Sequence, residues 1–150
     1  MGLLRDLGAG PIALDTSAFI YFIEEHPKYI SLVDPIFAAI AAGQLQAVTS
    51  SLTLLEALVI PLRFGNRILV DRYEALLTKS RGLHLVPIDL ELLRSAAQLR
   101  AASRLKTPDA LQVASALSVG CPVLLTNDDR IPALRGLRVL RLDDYLPIDP

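Results

Sequence analysis

The sequence predicts a three-layer α/β/α fold, in which helices cover both faces of a five-stranded parallel sheet. Short apolar runs alternate with longer segments of helical apolar spacing along most of the chain, as in repeated βα units. The composition agrees, because 52% of the residues are hydrophobic, with no tryptophan and only four phenylalanines and four tyrosines. Aliphatic residues of this kind fill the core of a parallel sheet that is covered on both sides.

Five apolar runs are the predicted strands, and each is short enough to cross a small sheet once. Strands buried on both faces have nearly continuous apolar sequences, and turn residues bound these runs. The predicted strands are residues 12–14, 46–49, 83–86, 122–125 and 137–140.

The segments between the strands have helical apolar spacing. Gly43 and Gly120 follow two of these segments, where a glycine commonly ends a helix. The predicted helices are residues 18–24, 31–42, 52–62, 66–79, 90–105 and 109–119.

The length and charge of the chain limit its organisation. A chain of 150 residues fits one compact domain, residues 1–150, able to bury roughly 70% of its unfolded surface. Residues 143–150 hold three aspartates and two prolines, which predicts a surface tail. The net charge of -1 argues against a basic field over the whole molecule, so any contact with nucleic acid must be local.

Cysteine content and hydropathy predict the compartment. The single cysteine, Cys121, begins an apolar run, which predicts a buried thiol in a reducing compartment. Residues 1–14 include Arg5 and Asp6 and lack the pattern of a signal peptide, and no apolar stretch is long enough to span a bilayer. We therefore expect a cytoplasmic protein.

Four acids fall where a parallel sheet would bring them together. Asp15 ends the first strand and Asp128 follows the fourth, and the carboxyl ends of parallel strands form the ligand-binding edge of such a sheet. Glu56 lies early in the helix after the second strand, and Asp109 begins the helix before the fourth. We expect these four carboxylates to meet in one crevice.

Each acid also has a purely structural interpretation. Asp15 and Asp128 fit helix-cap or turn positions, and Glu56 could close a capping box with Thr53. Asp109 could complement the helix dipole just after Thr107 and Pro108. Capping does not explain why all four should recur at one edge of the sheet, so we favour a shared site.

A cluster of carboxylates requires a cation. Two carboxylates about 4 Å apart repel by about 4 kcal/mol at an effective dielectric near 20, so four must bind a cation or take up protons. Ligands that are all oxygen suit Mg²⁺ or Mn²⁺, whereas zinc usually recruits histidine or cysteine. His26 and His84 do not neighbour the acids in sequence and fit surface or packing roles. The acids thus predict a magnesium or manganese site.

These residues resemble a known family. Its motifs match Leu14-Asp15-Thr16-Ser17-Ala18-Phe19-Ile20, then Glu56 in a helix, then Leu105-Lys106-Thr107-Pro108-Asp109-Ala110-Leu111, then Leu125-Thr126-Asn127-Asp128. Together they resemble PIN-domain nucleases, particularly the VapC-type toxins of prokaryotic toxin–antitoxin pairs. The Thr-Pro-Asp-Ala and Thr-Asn-Asp motifs are the most specific, and the resemblance spans nearly the whole chain.

The resemblance implies a fold, a site and an activity. The implied sheet has strand order 3-2-1-4-5, and the implied site binds one or two metal ions. Asp15, Asp109 and Asp128 are its central acids, and Glu56 binds directly or through water. Thr16, Ser17 and Thr126 match polar positions that orient the carboxylates, although a turn or cap role is equally compatible with them. Asp129 departs from the usual residue at its position, and its role stays open.

The implied activity is metal-dependent hydrolysis of RNA phosphodiester bonds by an endoribonuclease, acting as the toxin of a type II pair. A divalent cation makes water a usable nucleophile and stabilises charge on the phosphoryl group. The implied partners are RNA, a cognate antitoxin and a second copy of the chain, and the apolar helices between Ser31 and Leu62 also favour a homodimer.

RNA would be repelled by four carboxylates unless basic residues flank them. The nearest candidates in sequence are Arg100, Arg104 and Lys106, which lead toward Asp109. A second group comprises Arg63, Arg67 and Arg72. Tyr21 and Phe22 could stack a base, although core packing suits Phe22 better.

Two other functions remain as alternatives. The first is a non-catalytic PIN-fold module that binds RNA or a protein partner without turnover. The second, a phosphatase of the haloacid-dehalogenase type, requires an aspartate two residues after the first, where this chain has Ser17.

Overall fold

The computed structural model describes residues 2–148 as three layers, with one sheet between two groups of helices. The five strands, all of which pair in parallel, lie in the order β3-β2-β1-β4-β5, so the predicted strand order is confirmed. They are β1 Ile12–Leu14, β2 Ala47–Ser50, β3 Leu83–Val86, β4 Val123–Thr126 and β5 Arg138–Arg141.

Seven α-helices connect or precede these strands within the described residues. They are α1 Leu3–Leu7, α2 Thr16–Ile23, α3 Ile30–Ala41, α4 Leu52–Arg63, α5 Arg67–Lys79, α6 Leu90–Ala102 and α7 Thr107–Ser118. All six predicted helices are present. None of the helices in the described part of the chain is long and apolar enough to cross a membrane.

Alternate strand residues face two separate cores, which is the period-two pattern of a strand buried on both sides. Ile12 and Leu14 pack with α1, α2, α3 and α5 on one face, whereas Ala13 packs with α6 and α7 on the other. Cys121 is buried in this second core, which raises the pKa of its thiol to about 11. The predicted burial of this thiol is confirmed, and the raised pKa disfavours the reactive thiolate.

Three segments differ from the sequence prediction. Helix α1 was not predicted, because five residues are too few to show a clear helical period. Helix α6 ends at Ala102 rather than at residue 105, because Ser103 turns the chain: its Oγ accepts a hydrogen bond from the Leu105 amide. The third segment is the predicted surface tail.

The first residues of the predicted tail, 143–150, pack against the rest of the domain. A 3-10 helix, Leu142–Tyr145, starts with a fully buried leucine. Tyr29 Oη donates to Asp143 Oδ1 at 2.5 Å, and Tyr145 Oη donates to Asp6 Oδ2 at 2.6 Å. Ile148 is 95% exposed, as expected of a tail, and residues 149–150 lie outside the described residues.

Candidate active site

The strand order places the acids at the switch point of the sheet, where the order of successive strands reverses between β1 and β4. The chain proceeds outward from β1 through β2 to β3 and then returns to β4 on the other side of β1. Crevices at such a switch point bind ligands at the carboxyl ends of the strands. Leu14 pairs with Leu125, and the Asp15 amide donates to the Leu125 carbonyl at 3.2 Å. Continuing this register sets Asp15 beside Thr126.

Asp15 is held by hydrogen bonds to both of its carboxylate oxygens. Its Oδ1 accepts from the Ser17 amide at 3.1 Å and from Ser17 Oγ at 2.5 Å, and its Oδ2 accepts from Thr126 Oγ1. Burial raises the pKa of Asp15, and the charge of Asp128 adds to the increase, while the hydrogen bonds oppose it. The predicted capping role is present too, because Asp15 is the N-cap of α2.

Asp109 and Asp128 form a pair of interacting carboxyl groups. Burial raises the pKa of Asp109 to about 6, and the neighbouring Asp128 carboxylate contributes through a hydrogen bond and its charge. A helix-start aspartate with no other neighbour would have a lowered pKa, because the helix dipole favours the anion. Asp109 is the third residue of α7, and its pKa is raised instead, first by burial and then by the neighbouring Asp128.

Arg130 holds the other member of this pair. Its Nε donates to Asp128 Oδ1 at 2.9 Å and its Nη2 donates to Oδ2 at 2.8 Å, which is the two-point geometry that makes arginine–carboxylate pairs strong. The Arg130 amide also donates to Asp128 Oδ1 at 2.9 Å. These bonds lower the pKa of Asp128 to about 2. Arg130 is not among the residues predicted from sequence, although its position two residues after Asp128 was a usable signal.

Glu56 reaches the same edge from α4. Its Oε1 accepts a hydrogen bond of 2.6 Å from Thr16 Oγ1. The proposed capping box with Thr53 is wrong, because α4 begins at Leu52 and the Thr53 hydroxyl bonds to Thr49 at 2.7 Å instead. Glu56 is therefore oriented by a residue of the first strand–helix turn rather than by its own helix start.

A buried hydrogen-bond network extends from Thr16, the partner of Glu56, to Thr53 and Gln112. Gln112 Nε2 donates to Thr53 Oγ1 at 2.9 Å, and the Ser50 amide donates to Gln112 Oε1 at 3.3 Å. Thr16 Oγ1 also lies 3.3 Å from Thr53 Oγ1. Gln112 is only 4% exposed, so its amide has little access to water and depends on these partners. Sequence reasoning missed Gln112, which lies one turn after Asp109 on α7.

Two adjoining cavities open beside these acids. One, of about 250 Å³, is lined by Asp15, Thr16, Glu56, Pro108, Asp109, Gln112, Asp128 and Arg130. The other, of about 450 Å³, is lined by Asp15, Ser17, Tyr21, Asn127, Asp128, Asp129 and Arg130. All four predicted acids thus line the first cavity, and Asp129 lines the second. Arg130 is the basic residue that lines both.

The structure does not bring the predicted RNA-binding residues to either cavity. Arg100 donates from Nε to the Leu105 carbonyl at 3.1 Å and from Nη1 to Thr107 Oγ1 at 2.9 Å. It thereby braces the connection between α6 and α7. Arg104 and Lys106 are exposed but line neither cavity. The basic residue that sequence proximity failed to select, Arg130, is the one that lies among the acids.

The aromatic residues near the site have different roles, because some pack in the core and one lines a cavity. Phe22 stacks on Phe37 with ring centroids 4.1 Å apart, as expected of a core residue. Tyr21 stacks on Tyr29 at 4.3 Å, and its hydroxyl accepts a hydrogen bond from Asn127 Nδ2 at 3.3 Å. His26 packs against both tyrosines, which agrees with its predicted packing role. Of these side chains, Tyr21 lines a cavity beside the acids.

The acids are gathered without forming a finished metal site. In residues 2–148, no three histidine, cysteine, aspartate or glutamate side chains are arranged to hold a metal ion. Asp128 is turned to Arg130, which occupies both of its carboxylate oxygens. The donor set nevertheless fits Mg²⁺ or Mn²⁺, because every donor is an oxygen and because burial and the charge of Asp128 raise the pKa of Asp109, a penalty on its anion that a cation would offset.

The fold and the site together define a three-layer α/β protein with an acidic cleft at the switch point of its sheet. The PIN domain family model matches residues 12–137, which include all four acids, and the chain belongs to this family. The resemblance drawn from the motifs is thereby confirmed, and membership of this family supports a nuclease. A comparison with curated proteins finds no significant match.

Solved structures with the same fold include bacterial toxins. A chain of a toxin–antitoxin complex from Klebsiella pneumoniae matches with a TM-score of 0.64 and 18% identity, covering 85% of this chain and 95% of that one. A chain of VapBC2 from Rickettsia felis, solved with a promoter DNA fragment, gives 0.61 and 18%, with coverages of 87% and 98%. VapC20 of Mycobacterium tuberculosis, described as a toxin that cleaves the sarcin–ricin loop, gives 0.62 and 15%, with coverages of 76% and 87%.

Proposed function

We propose that this chain is a metal-dependent endoribonuclease that hydrolyses RNA phosphodiester bonds, the toxin of a type II toxin–antitoxin pair. The observation that carries the proposal is the interaction of Asp15, Asp109 and Asp128 at the switch point of the sheet. Each aspartate lies close enough to perturb another, since Asp128 contributes to the raised pKa of both Asp15 and Asp109. Such a cluster favours a divalent cation because the cation relieves the repulsion.

The four acids have different roles in this proposal. Asp15, Asp109 and Asp128 would hold Mg²⁺ or Mn²⁺, and Glu56 would bind it directly or through water. When bound, the cation makes water more acidic and neutralises charge on the phosphoryl group. Thr126 supports two of the acids, because its hydroxyl donates to Asp15 Oδ2 and accepts from the Asp128 amide at 3.0 Å. Thr16 keeps Glu56 turned toward the cavity.

The proposal of RNA as substrate rests on the relatives and on access to the site. The acids line open cavities on the surface, which an unstacked nucleotide can enter more easily than a paired one. VapC20, which shares the fold, is described as a toxin that cleaves the sarcin–ricin loop. A cytoplasmic location, where RNA is abundant, is part of the proposal.

Cleavage of RNA by the purified protein tests the proposal. We expect cleavage with Mn²⁺ or Mg²⁺, none with EDTA, and none by Asp109→Asn. The matched control is Asp129→Asn, which neutralises an exposed aspartate of the neighbouring cavity, outside the cavity lined by all four acids. Full activity in EDTA would exclude the metal mechanism, and equal loss in both variants would exclude a specific role for Asp109.

A non-catalytic PIN-fold module is the second candidate. The observation that favours it is the two-point hydrogen bond of Arg130 to Asp128, which occupies both oxygens of one acid. Binding of RNA with Mn²⁺ present, without any cleavage of several unrelated RNAs, would support this alternative over the ribonuclease.

The proposed protein partners are a cognate antitoxin and a second copy of the chain. The proposal of an antitoxin partner rests on the similarity of this chain to a chain from a toxin–antitoxin complex. The homodimer rests on an exposed apolar surface at α4, α5 and the turn between them, which would be unusual on a monomer. This α4–α5 surface comprises Leu55, Ile60, Leu62, Phe64 and Ile68, each more than half exposed.

A further inference from the structure

We propose that Arg130 is a built-in cation of the acidic site: it pairs with Asp128 when no metal is bound, yields Asp128 to the metal, and then binds a phosphate of the RNA. The inference deepens the proposed function and rests on its metal. The geometry of Arg130, its exposure and its place between the two cavities carry the argument.

The first step is competition for the same oxygens. Arg130 Nε and Nη2 together occupy Oδ1 and Oδ2 of Asp128. A cation that takes either oxygen as a ligand must therefore displace part of this arrangement. Asp128 is 18% exposed and Arg130 is 61% exposed, so the arginine is the partner that can move away into solvent.

The second step is where the displaced guanidinium can go. Arg130 lines both cavities, whereas Arg100, Arg104 and Lys106 line neither. Arginine binds phosphate at two points with the same planar array of donors that it uses for a carboxylate. A phosphate brought beside the acids would therefore meet Arg130 as the nearest partner of opposite charge among the residues that line the cavities.

The two steps show how a cleft lined by four acids could still bind RNA. Four carboxylates repel both one another and an RNA phosphate. An arginine that pairs with an acid in the absence of metal, and with the phosphate in its presence, reduces repulsion in both states. A metal-dependent gain in RNA binding follows from this exchange.

The first arm of the test measures Mn²⁺ affinity by electron paramagnetic resonance, without RNA. Arg130→Ala should bind Mn²⁺ about fivefold more tightly than the parent, a factor typical of losing a competing ion pair near a surface. Arg130→Lys, which keeps the charge but loses the two-point contact, should fall between them. The control, Arg135→Ala, removes an exposed arginine that forms no ion pair among the described residues.

Equal Mn²⁺ affinity in Arg130→Ala and Arg135→Ala would overturn the competition. If Arg130→Lys matched the parent, the effect would come from charge alone, and the proposed exchange of hydrogen-bonding partners would also fail. Circular dichroism of each variant separates these outcomes from loss of fold. An exposed side chain in a loop is a suitable place for such changes because few core contacts depend on it.

The second arm measures binding of a short fluorescein-labelled oligouridylate at several salt concentrations, with Ca²⁺ or with EDTA, and checks by gel that the RNA stays intact. In Ca²⁺, Arg130→Ala should lower the slope of log affinity against log salt by about 0.7, the value for one single-strand phosphate contact. In EDTA the slope should not change. Equal slopes for parent and variant in Ca²⁺ would overturn the phosphate contact.

The two proposals fail in different ways. If the Mn²⁺ and RNA-binding arms behave as expected and no RNA is cleaved, the ribonuclease proposal fails and the exchange by Arg130 stands. If RNA is cleaved with Mn²⁺ and Arg130→Ala changes neither affinity nor slope, the exchange fails and the ribonuclease stands.

Discussion

Thr16 and Glu56, 40 residues apart in sequence, are joined by a hydrogen bond of 2.6 Å from Thr16 Oγ1 to Glu56 Oε1. Thr16 is the first residue of α2, directly after Asp15, whereas Glu56 lies in the second turn of α4. The bond therefore ties the turn that carries one acid of the site to the helix that carries another. The contribution of this hydrogen bond to stability can be separated from the contribution of side-chain volume.

Thr16→Val should lower the free energy of unfolding by roughly 0.5–1.5 kcal/mol, because the nearly isosteric side chain cannot donate to Glu56. Thr16→Ser keeps the hydroxyl and should lose less. Urea denaturation without metal measures both. RNA cleavage by Thr16→Val should also fall, since Glu56 loses the partner that orients it. Equal stability of the two variants would show that volume, rather than the hydrogen bond, matters at this position.

Asp109→Asn should make the protein more stable at pH 7 in the absence of metal. The pKa of Asp109 is raised from 3.8 to about 6, so the folded protein binds this proton more tightly than the unfolded chain does. The free energy of unfolding must then fall as the pH rises from about 4 to about 6. The substitution removes this loss of stability at pH 7. We expect the free energy of unfolding to rise by roughly 1 kcal/mol, after allowing for solvent screening of a partly exposed group.

Thermal and urea denaturation between pH 4 and pH 8, in EDTA, measure this effect, and the gain should appear only in the upper part of the range. Added Mn²⁺ should stabilise the parent more than the variant, because stabilisation by a ligand depends on binding to the folded state. Asp129→Asn is again the control. If Asp109→Asn melted lower than the parent at pH 7, Asp109 would be a helix-start residue that stabilises through the dipole alone.

Gln112→Leu should destabilise the protein by roughly 1–3 kcal/mol, because it leaves buried partners in the network without their hydrogen bonds. The Ser50 amide loses its acceptor and Thr53 loses a donor. Gln98→Leu, at an exposed position on α6, should change stability by no more than about 0.5 kcal/mol. Chemical denaturation of both variants makes the comparison, and similar small effects would mean that the buried network adjusts without cost.

The α4–α5 surface should hold two copies of the chain together. Sedimentation at micromolar concentration should show a dimer for the parent and a monomer for a double variant, Phe64→Ser with Ile68→Ser, since both side chains are 77% exposed. Leu90→Ser, which changes a 68% exposed residue of α6, is the matched control and should stay dimeric. A monomeric parent, or a dimer that survives the double change, would exclude this surface.

The sequence by itself determined the layers of the fold and the positions of the acids along it. The run at residues 122–125, which overlaps β4, is identifiable because burial on both faces requires continuous apolar residues, which is a local pattern. The placement of Asp15 and Asp128 after β1 and β4 is equally local. The strand order itself came from resemblance to a family, because periodicity does not specify which strands become neighbours.

Tertiary structure alone decided which side chains contact one another. The bond of Thr16 to Glu56, the support of Thr53 by Gln112 and the docking of Tyr145 on Asp6 join residues separated by 40, 59 and 139 positions. Such contacts depend on how the packed layers align, and one turn of helix or one residue of register would remove them. The same reason explains why Arg130, rather than the arginines nearest Asp109 in sequence, lies among the acids.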